Sequence, residues 1–519
     1  MNREEMLGRL RDRRRPWDMI IVGGGATGAG IAVEAASRGY DAVLLEQDDF
    51  CKGTSSRSTK LIHGGVRYLE QGNISLVMES LQERGILREN APHLVHDLAF
   101  VVPNYEWWET PFYGVGLKVY DLLAGKYGFG KSQNLSREET LQRLPTIRTE
   151  GLRGGVIYYD GQFDDSRLLI NLMQTAAEQG ATLLNYCTVF AVVKDGSAVV
   201  NGVRARDRES GEELSLRAGV VINATGAFSD AVRRMANAEA APMIAPSQGV
   251  HVVLDKAFLP GRSAIMVPHT SDGRVMFAIP WHGHTLVGTT DTAVDEPLLE
   301  PMPFAQEIDF ILETAGQYLH HPPERSDILS AWAGIRPLVK AAGGSSTASL
   351  SRDHSIHIDQ NGLLTIAGGK WTTYRRMAED CVNQAAMLAS LEERPSVTRR
   401  LRIHGYHRYA EKFGRLEVYG SDAPAIQDSI RASVELGEKL HPAFPYCAAE
   451  VIWAVRIEMA RTVEDVLSRR MRALLLNAKA AIEVAPKVAA IMASECGKND
   501  AWQRQQVAAF EGLARNYLV

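Results

Sequence analysis

Near the start of the chain, three glycines and an acid have the types and spacing that chemistry needs: Gly23, Gly25 and Gly28 in Gly-x-Gly-x-x-Gly order, and Glu46 18 residues beyond the last. Gly23 permits a tight turn, Gly25 lets backbone approach a pyrophosphate, and Gly28 allows a helix to pack closely on a strand. The free N–H groups at the helix start then face the phosphates, and the Glu46 carboxylate accepts from adenosine ribose hydroxyls. The chemistry is dinucleotide binding, with FAD and NAD both open at this point. No HExxH, GxSxG or Walker-type lysine loop occurs, and the histidines have no metal-ligand spacing. Metal hydrolysis, serine-nucleophile chemistry and P-loop phosphoryl transfer are demoted, and no metal is assigned.

These residues need a βαβ unit to hold them. Residues 17–22 read as an apolar strand, 29–38 as a helix ended by Gly39, and 41–46 as a second parallel strand. Residues 219–226 and 362–369 read as two more strands whose C-terminal ends meet the cofactor. Between them, 250–255, 274–281 and 285–291 are β-rich and separated by turn signals, which predicts a second, largely antiparallel sheet. From Arg399 the pattern turns helical, with Ile452, Val455, Met459, Val463, Val466 and Leu467 at spacings of three or four.

The 519 residues are 45% hydrophobic and 23% charged, an ordinary globular composition that allows two to four domains. A net charge of −5 gives no general reason to expect a polyanion, so nucleic acid is not the expected partner. Five scattered cysteines without a CxxC pair read as thiols in a reducing compartment. Residues 1–18 carry six Arg against four acidic residues and lack the apolar core of a secretory signal, so no export is expected. The most apolar late segment, 472–493, is broken by Lys479, Glu483 and Lys487, so any membrane contact is expected to be peripheral.

Residues 54–69, Thr-Ser-Ser-Arg-Ser-Thr-Lys-Leu-Ile-His-Gly-Gly-Val-Arg-Tyr-Leu, closely resemble the flavin-binding segment of FAD-dependent glycerol-3-phosphate dehydrogenases. Further matches fall in family order at 163–168, 223–226, 279–281 with 288–291, 333–338, 351–353 and 368–375, and 455–462 is similar to the family's C-terminal domain. The resemblance implies an α/β fold of the D-amino-acid-oxidase-like class: a Rossmann-type FAD-binding domain with an inserted, mostly antiparallel β-sheet substrate domain and a C-terminal α-helical domain. The boundaries expected are an Arg-rich N-terminal tail at 1–16, an FAD-dependent oxidoreductase region at 17–398 and the helical domain at 399–519. Within 17–398, FAD-binding segments at about 17–75, 155–230 and 335–398 interleave with substrate segments at about 76–154 and 231–334. The implied reaction is oxidation of sn-glycerol 3-phosphate to dihydroxyacetone phosphate by hydride transfer to FAD, with electrons passed to a membrane quinone. The implied location is cytoplasmic, peripherally on the inner face of the cell membrane, and a homodimer is left open.

A phosphorylated polyol needs two or more cations for its dianion, a base for its hydroxyl proton and a flavin to take the hydride. At positions matching the family's active site stand Arg67, Arg336, Arg352 and Lys370, with Tyr68 as hydroxyl donor and Arg336 and Lys370 also counted as catalytic. His251 is the candidate base, although a histidine opening an apolar strand is also a common core residue. His63, beside Gly64 and Gly65, reads as part of the cofactor shell. Thr54, Ser55, Ser56 and Lys60 offer hydroxyls and a cation near the pyrophosphate; alone they would read as a polar surface loop. Ala224, Thr225 and Gly226, with Gly368, Gly369 and Thr372, close the cofactor site at two strand ends.

Two segments suit a membrane interface: the Arg-rich start, and residues 107–129, rich in Trp, Tyr and Phe with Lys118 and Lys126. The rival readings are a soluble glycerol-3-phosphate oxidase using oxygen, an FAD-dependent oxidase of another small substrate such as an amine or amino acid, and a flavin-dependent sensor. No large insertion of the oxidase kind is apparent, and the cation cluster favours a phosphate over a lone carboxylate. Gln248-Gly-Val before His251 departs from a Gly-Ser version associated with some members of the family.

Overall fold

The structure is a computed structural model and describes residues 1–65, 73–268, 270–271, 273–340 and 353–519. The strand Trp17–Val22 has Met19 to Val22 fully buried, which suits the middle of a parallel sheet covered on both faces. It pairs in parallel with Ala42–Leu45 on one side and Glu213–Asn223 on the other. The path continues to Leu364–Gly368 and His354–Ile358 at one edge and to Thr182–Leu184 at the other. The helices Ala26–Ser37, Asp165–Glu178 and Tyr374–Leu388 pack together through apolar residues such as Ile31, Leu169 and Val382. The expected strand at 219–226 is thus the C-terminal part of the first strand's neighbour Glu213–Asn223, and the one at 362–369 is Leu364–Gly368, which pairs in parallel with that neighbour's far side.

Among the described residues the second sheet has ten strands. Toward one edge, Ile244–Asp255 pairs antiparallel with His284–Gly288 on one side and Ser330–Val339 on the other. One parallel pair, Ser263–Val267 with Val95–Asn104, interrupts the antiparallel pattern. Strand alternation places Val250, Val252 and Leu254 in one apolar layer, while Gly249 and His251 face a cavity on the other side. Gly154–Phe163, inside the second expected FAD-binding segment, is a strand of this sheet.

After Thr398 the chain is mostly helical, including Ala448–Ile457, Ala478–Cys496 and Asp500–Ala514. The apolar stripe expected to run from Ile452 to Leu467 is broken, because Met459 takes φ +57° and ends the first helix. The Arg-rich start differs from the expected tail. Arg3–Asp12 is a helix capped by Asn2 that buries Met6, Leu7 and Leu10, and Arg3 donates to Asp207 and to the Asn185 carbonyl. Among the described residues no helix is long and apolar enough to cross a membrane.

Candidate functional site

A cavity of about 550 Å³ runs from the glycine turn after the first strand to the inner face of the ten-stranded sheet. At its first end Gly23 has φ +111°, and a Cβ on Gly28 would lie 1.9 Å from the Gly23 carbonyl oxygen. Helix and turn are therefore in contact at a point where only glycine fits. The Ser55 hydroxyl accepts from Ala26 N–H at 2.9 Å, which brings the 54–56 turn onto the helix start. The Glu46 carboxylate accepts from Gly24 N–H at 2.6 Å and Asp48 N–H at 2.9 Å. Burial pushes its pKa up to about 7, with those two N–H groups opposing the shift.

The cavity is closed by turns from both sheets. Gly368 and Gly369 have φ of +76° and +75°, and Thr372 donates to the His63 carbonyl at 3.4 Å. The indole N–H of Trp371 donates to the Ser55 carbonyl at 2.9 Å, so this turn and the 54–56 turn hold each other. Ala224, Thr225 and Gly226 complete the lining near the first strand.

At the substrate-sheet end, the His251 ring stacks on Trp332 with 4.4 Å between centroids. A Cβ on Gly288 would come within 2.3 Å of His251 Cδ2, so the imidazole occupies a slot with indole on one side and bare backbone on the other. Its Nε2 lies 2.9 Å from the Thr59 hydroxyl. Burial, then the charges of Lys60 and Arg336, hold its pKa well below the usual histidine value, so the ring is neutral. Arg336 reaches Asp291 at 3.3 Å and the Thr289 hydroxyl at 3.1 Å, with its guanidinium lying over Gly249. Lys370 lines the same cavity, its Nζ 3.5 Å from the Ser80 hydroxyl.

The arrangement has a cradle for a dinucleotide at one end and cations with a neutral imidazole at the other. Comparison with known proteins agrees. Residues 18–375 match the family described as FAD dependent oxidoreductase, and 365–505 match the C-terminal domain of alpha-glycerophosphate oxidase. The chain is 42% identical over 537 residues to a probable mitochondrial glycerol-3-phosphate dehydrogenase of Caenorhabditis elegans, covering 97% of this chain and 74% of the relative. It is 41% identical over 525 residues to the mitochondrial glycerol-3-phosphate dehydrogenase of Homo sapiens, covering 95% and 72%.

The chain belongs to the FAD-dependent glycerol-3-phosphate dehydrogenase family. Among solved structures, the glycerol-3-phosphate dehydrogenase of Bacillus halodurans complexed with FAD superposes with a TM-score of 0.81 at 30% identity, covering 100% of this chain and 98% of that one. The L-alpha-glycerophosphate oxidase of Mycoplasma pneumoniae shares the fold, with a TM-score of 0.56 at 18% identity over 74% of this chain and 98% of that one. FAD is the cofactor, and the elongated cavity with its glycine turn, Glu46 and the 368–372 turn fits a molecule of that shape.

Most site residues expected from the sequence of this family member line one cavity: Gly23, Gly25, Glu46, Thr54, Ser55, His63, Ala224, Thr225, Gly226, His251, Arg336, Gly368, Gly369, Lys370 and Thr372. Gly28 lies behind the turn, where it sets the packing. Ser56 and Lys60 do not line the cavity. The Lys60 ammonium is fully buried, donates to Asp165 and to the Ser56 carbonyl at 2.7 Å each, and sits 4.6 Å from the Trp332 ring centroid. A cation so buried requires an anion in contact, and Asp165 supplies it beneath the loop; burial still pulls the Lys60 pKa down to about 8. Ser56 turns its hydroxyl to the Gly53 carbonyl. Arg67, Tyr68 and Arg352 lie outside the described residues. The sequence reading passed over Thr59, whose contact with His251 spans 192 positions and leaves no local signal. It also passed over the cavity's aromatic wall of Phe100, Tyr158 and Phe277, which comes from three separate strands.

Proposed function

We propose that this protein oxidises sn-glycerol 3-phosphate to dihydroxyacetone phosphate and passes the electrons to a membrane quinone. The observation that carries the reading is the neutral His251 close to the charge of Arg336 in a cavity that Lys370 also lines and that has a cradle built for a dinucleotide. Bound FAD supplies the hydride acceptor. Arg336, steadied by Asp291 and Thr289, and Lys370 hold the anionic substrate, with Arg67, Tyr68 and Arg352 completing the set. Neutral His251 takes the hydroxyl proton as the hydride leaves. Residues 399–519 form a helical domain set against the oxidoreductase region at 17–398.

For the acceptor, the exposed surface favours a membrane. The helix Glu109–Ala124 buries Tyr113, Leu117 and Tyr120 against the substrate sheet, yet Trp108, Phe112, Val115, Val119 and Leu122 form a second apolar stripe facing outward. Trp107 is 74% exposed and Leu122 80%. At the end of this helix a cleft carries Lys126 and Arg399, cations suited to anionic headgroups, beside Glu79, Glu83 and an Arg376 paired with Asp380 at 3.0 Å. The Arg-rich start has its apolar side chains packed inside, so the 107–129 segment is the better lipid contact. Substrate turnover with a soluble quinone analogue and with oxygen tests the reading. Quinone reduction with little hydrogen peroxide is expected; stoichiometric peroxide at an equal rate without quinone would make the protein an oxidase. Val115→Glu with Leu122→Glu should release the protein from anionic vesicles and leave turnover with the soluble acceptor intact.

A further inference from the structure

His251 has two ring nitrogens in unlike surroundings. Its Nδ1 is buried and has no hydrogen-bond partner among the described residues. Its Nε2 meets the Thr59 hydroxyl at 2.9 Å, and both residues line the cavity. With the ring 2% exposed and fixed between Trp332 and Gly288, a proton from the cavity has one nitrogen to reach, and the Thr59 hydroxyl occupies that nitrogen's hydrogen-bonding position.

Thr59 is itself held on both sides. Ser58 donates to Asp165 Oδ2 through its N–H at 3.1 Å and its hydroxyl at 2.7 Å, and Lys60 donates to the same oxygen at 2.7 Å. Lys60 takes φ +63°, a conformation that L residues adopt only when their surroundings impose it. The other Asp165 oxygen accepts from Arg472 at 2.9 Å, and Arg472 also donates to the Ser56 carbonyl at 2.7 Å. Arg472 is 1% exposed and comes from the C-terminal helical region. One carboxylate, clamped by that region, therefore fixes both neighbours of Thr59.

We propose that the Thr59 hydroxyl is the relay through which the substrate's hydroxyl proton reaches His251 Nε2, and that Asp165 and Arg472 are positioning residues that hold it there. The inference rests on His251 being the base. In the step, the substrate O–H bond breaks and its proton passes to the Thr59 oxygen, while the Thr59 proton passes to Nε2. The carbon–hydrogen bond breaks with its electron pair leaving as hydride to the cofactor, and the C–O bond becomes a carbonyl. One proton ends on His251 and two electrons on FAD, so the step is balanced. A hydroxyl suits this task because it donates and accepts at once.

Thr59→Val removes the hydroxyl at nearly constant volume, and Thr59→Ser keeps it. The holoenzymes should contain equal flavin with equal spectra. Anaerobic flavin reduction by glycerol 3-phosphate should slow at least about tenfold in Thr59→Val, with the roughly 10²–10⁴ range of general-base catalysis as the upper bound. Its pH profile should flatten, and Thr59→Ser should recover to within about threefold of wild type. Because the two groups act in series, the double variant Thr59→Val/His251→Gln should reduce no more slowly than His251→Gln alone. Wild-type rate and pH profile in Thr59→Val, or equal impairment of the Val and Ser variants, would overturn the relay. His251→Gln with an unchanged pH profile would instead overturn the base, which separates failure of the inference from failure of the reading beneath it.

Discussion

Gly249→Ala tests the substrate end of the cavity without touching a charge. An added Cβ would lie 2.4 Å from Arg336 Nη2 and 2.7 Å from both Cζ and Nη1. Ordinary carbon contacts begin near 3.5 Å, so the guanidinium must move by about 1 Å. It is the free end of a flexible side chain, and Gly249 itself has ordinary strand backbone, so the chain should fold and retain FAD. What changes is the aim of the Arg336 fork. A charge-assisted hydrogen bond is worth roughly 1.5–3 kcal/mol, and 1.36 kcal/mol is tenfold in rate, so kcat/KM for glycerol 3-phosphate should fall by roughly ten- to a hundredfold. Anaerobic stopped-flow reduction, run with glycerol 3-phosphate and with glycerol, reads the effect and shows whether it follows the phosphate. An unchanged kcat/KM in a Gly249→Ala protein with full FAD occupancy would refute the placement of Arg336 at the substrate. Loss of flavin would refute the claim that the side chain, and not the backbone, gives way.

Gly28→Ala should lose FAD, because the added carbon meets backbone 1.9 Å away; flavin content and thermal midpoint should show a destabilisation of at least about 1–3 kcal/mol. Glu46 has its pKa raised to about 7 by burial, and ribose hydroxyls donate to the ionised form, so FAD affinity of the apoprotein should rise as pH rises through 7. Glu46→Gln should weaken binding and flatten that dependence in a fluorescence titration. Burial lowers the His404 pKa, but hydrogen bonds to Asp422 and Glu178 outweigh it and raise the value to about 9, above the unfolded value near 6.5. Its contribution, about 1 kcal/mol given its partial exposure, is complete below pH 6.5 and lost as pH rises through 9. His404→Gln should therefore lower the thermal midpoint at pH 6 and leave it unchanged at pH 10.

The glycine turn and its strands were legible because their signals are local: three glycines, an apolar run and a terminal acid stand within thirty residues. The same local reading failed at Lys60. Its place in a polar loop suggested a cofactor contact, but the anion that decides its position, Asp165, lies 105 residues on. Thr59 was hidden for the same reason, since a hydroxyl gains meaning only from the imidazole opposite it. At the N-terminus, Met6, Leu7 and Leu10 have helical spacing and Asn2 caps the helix, but six arginines among the first fifteen residues mask that short apolar face in the linear pattern. The helix Glu109–Ala124 was visible as aromatic sequence. Which stripe packs inward and which stays exposed depended on the strand beneath it, Gly154–Phe163, which a linear pattern does not reveal.

Glycerol 3-phosphate should reduce the FAD that this cavity holds. Anaerobic titration of the purified holoenzyme with sn-glycerol 3-phosphate, following the absorption of oxidised flavin, tests it most directly. Stoichiometric bleaching, with dihydroxyacetone phosphate recovered in equal amount, is the predicted result. A flavin that is present but stays oxidised at excess glycerol 3-phosphate would contradict the account of the substrate end while leaving the dinucleotide end standing.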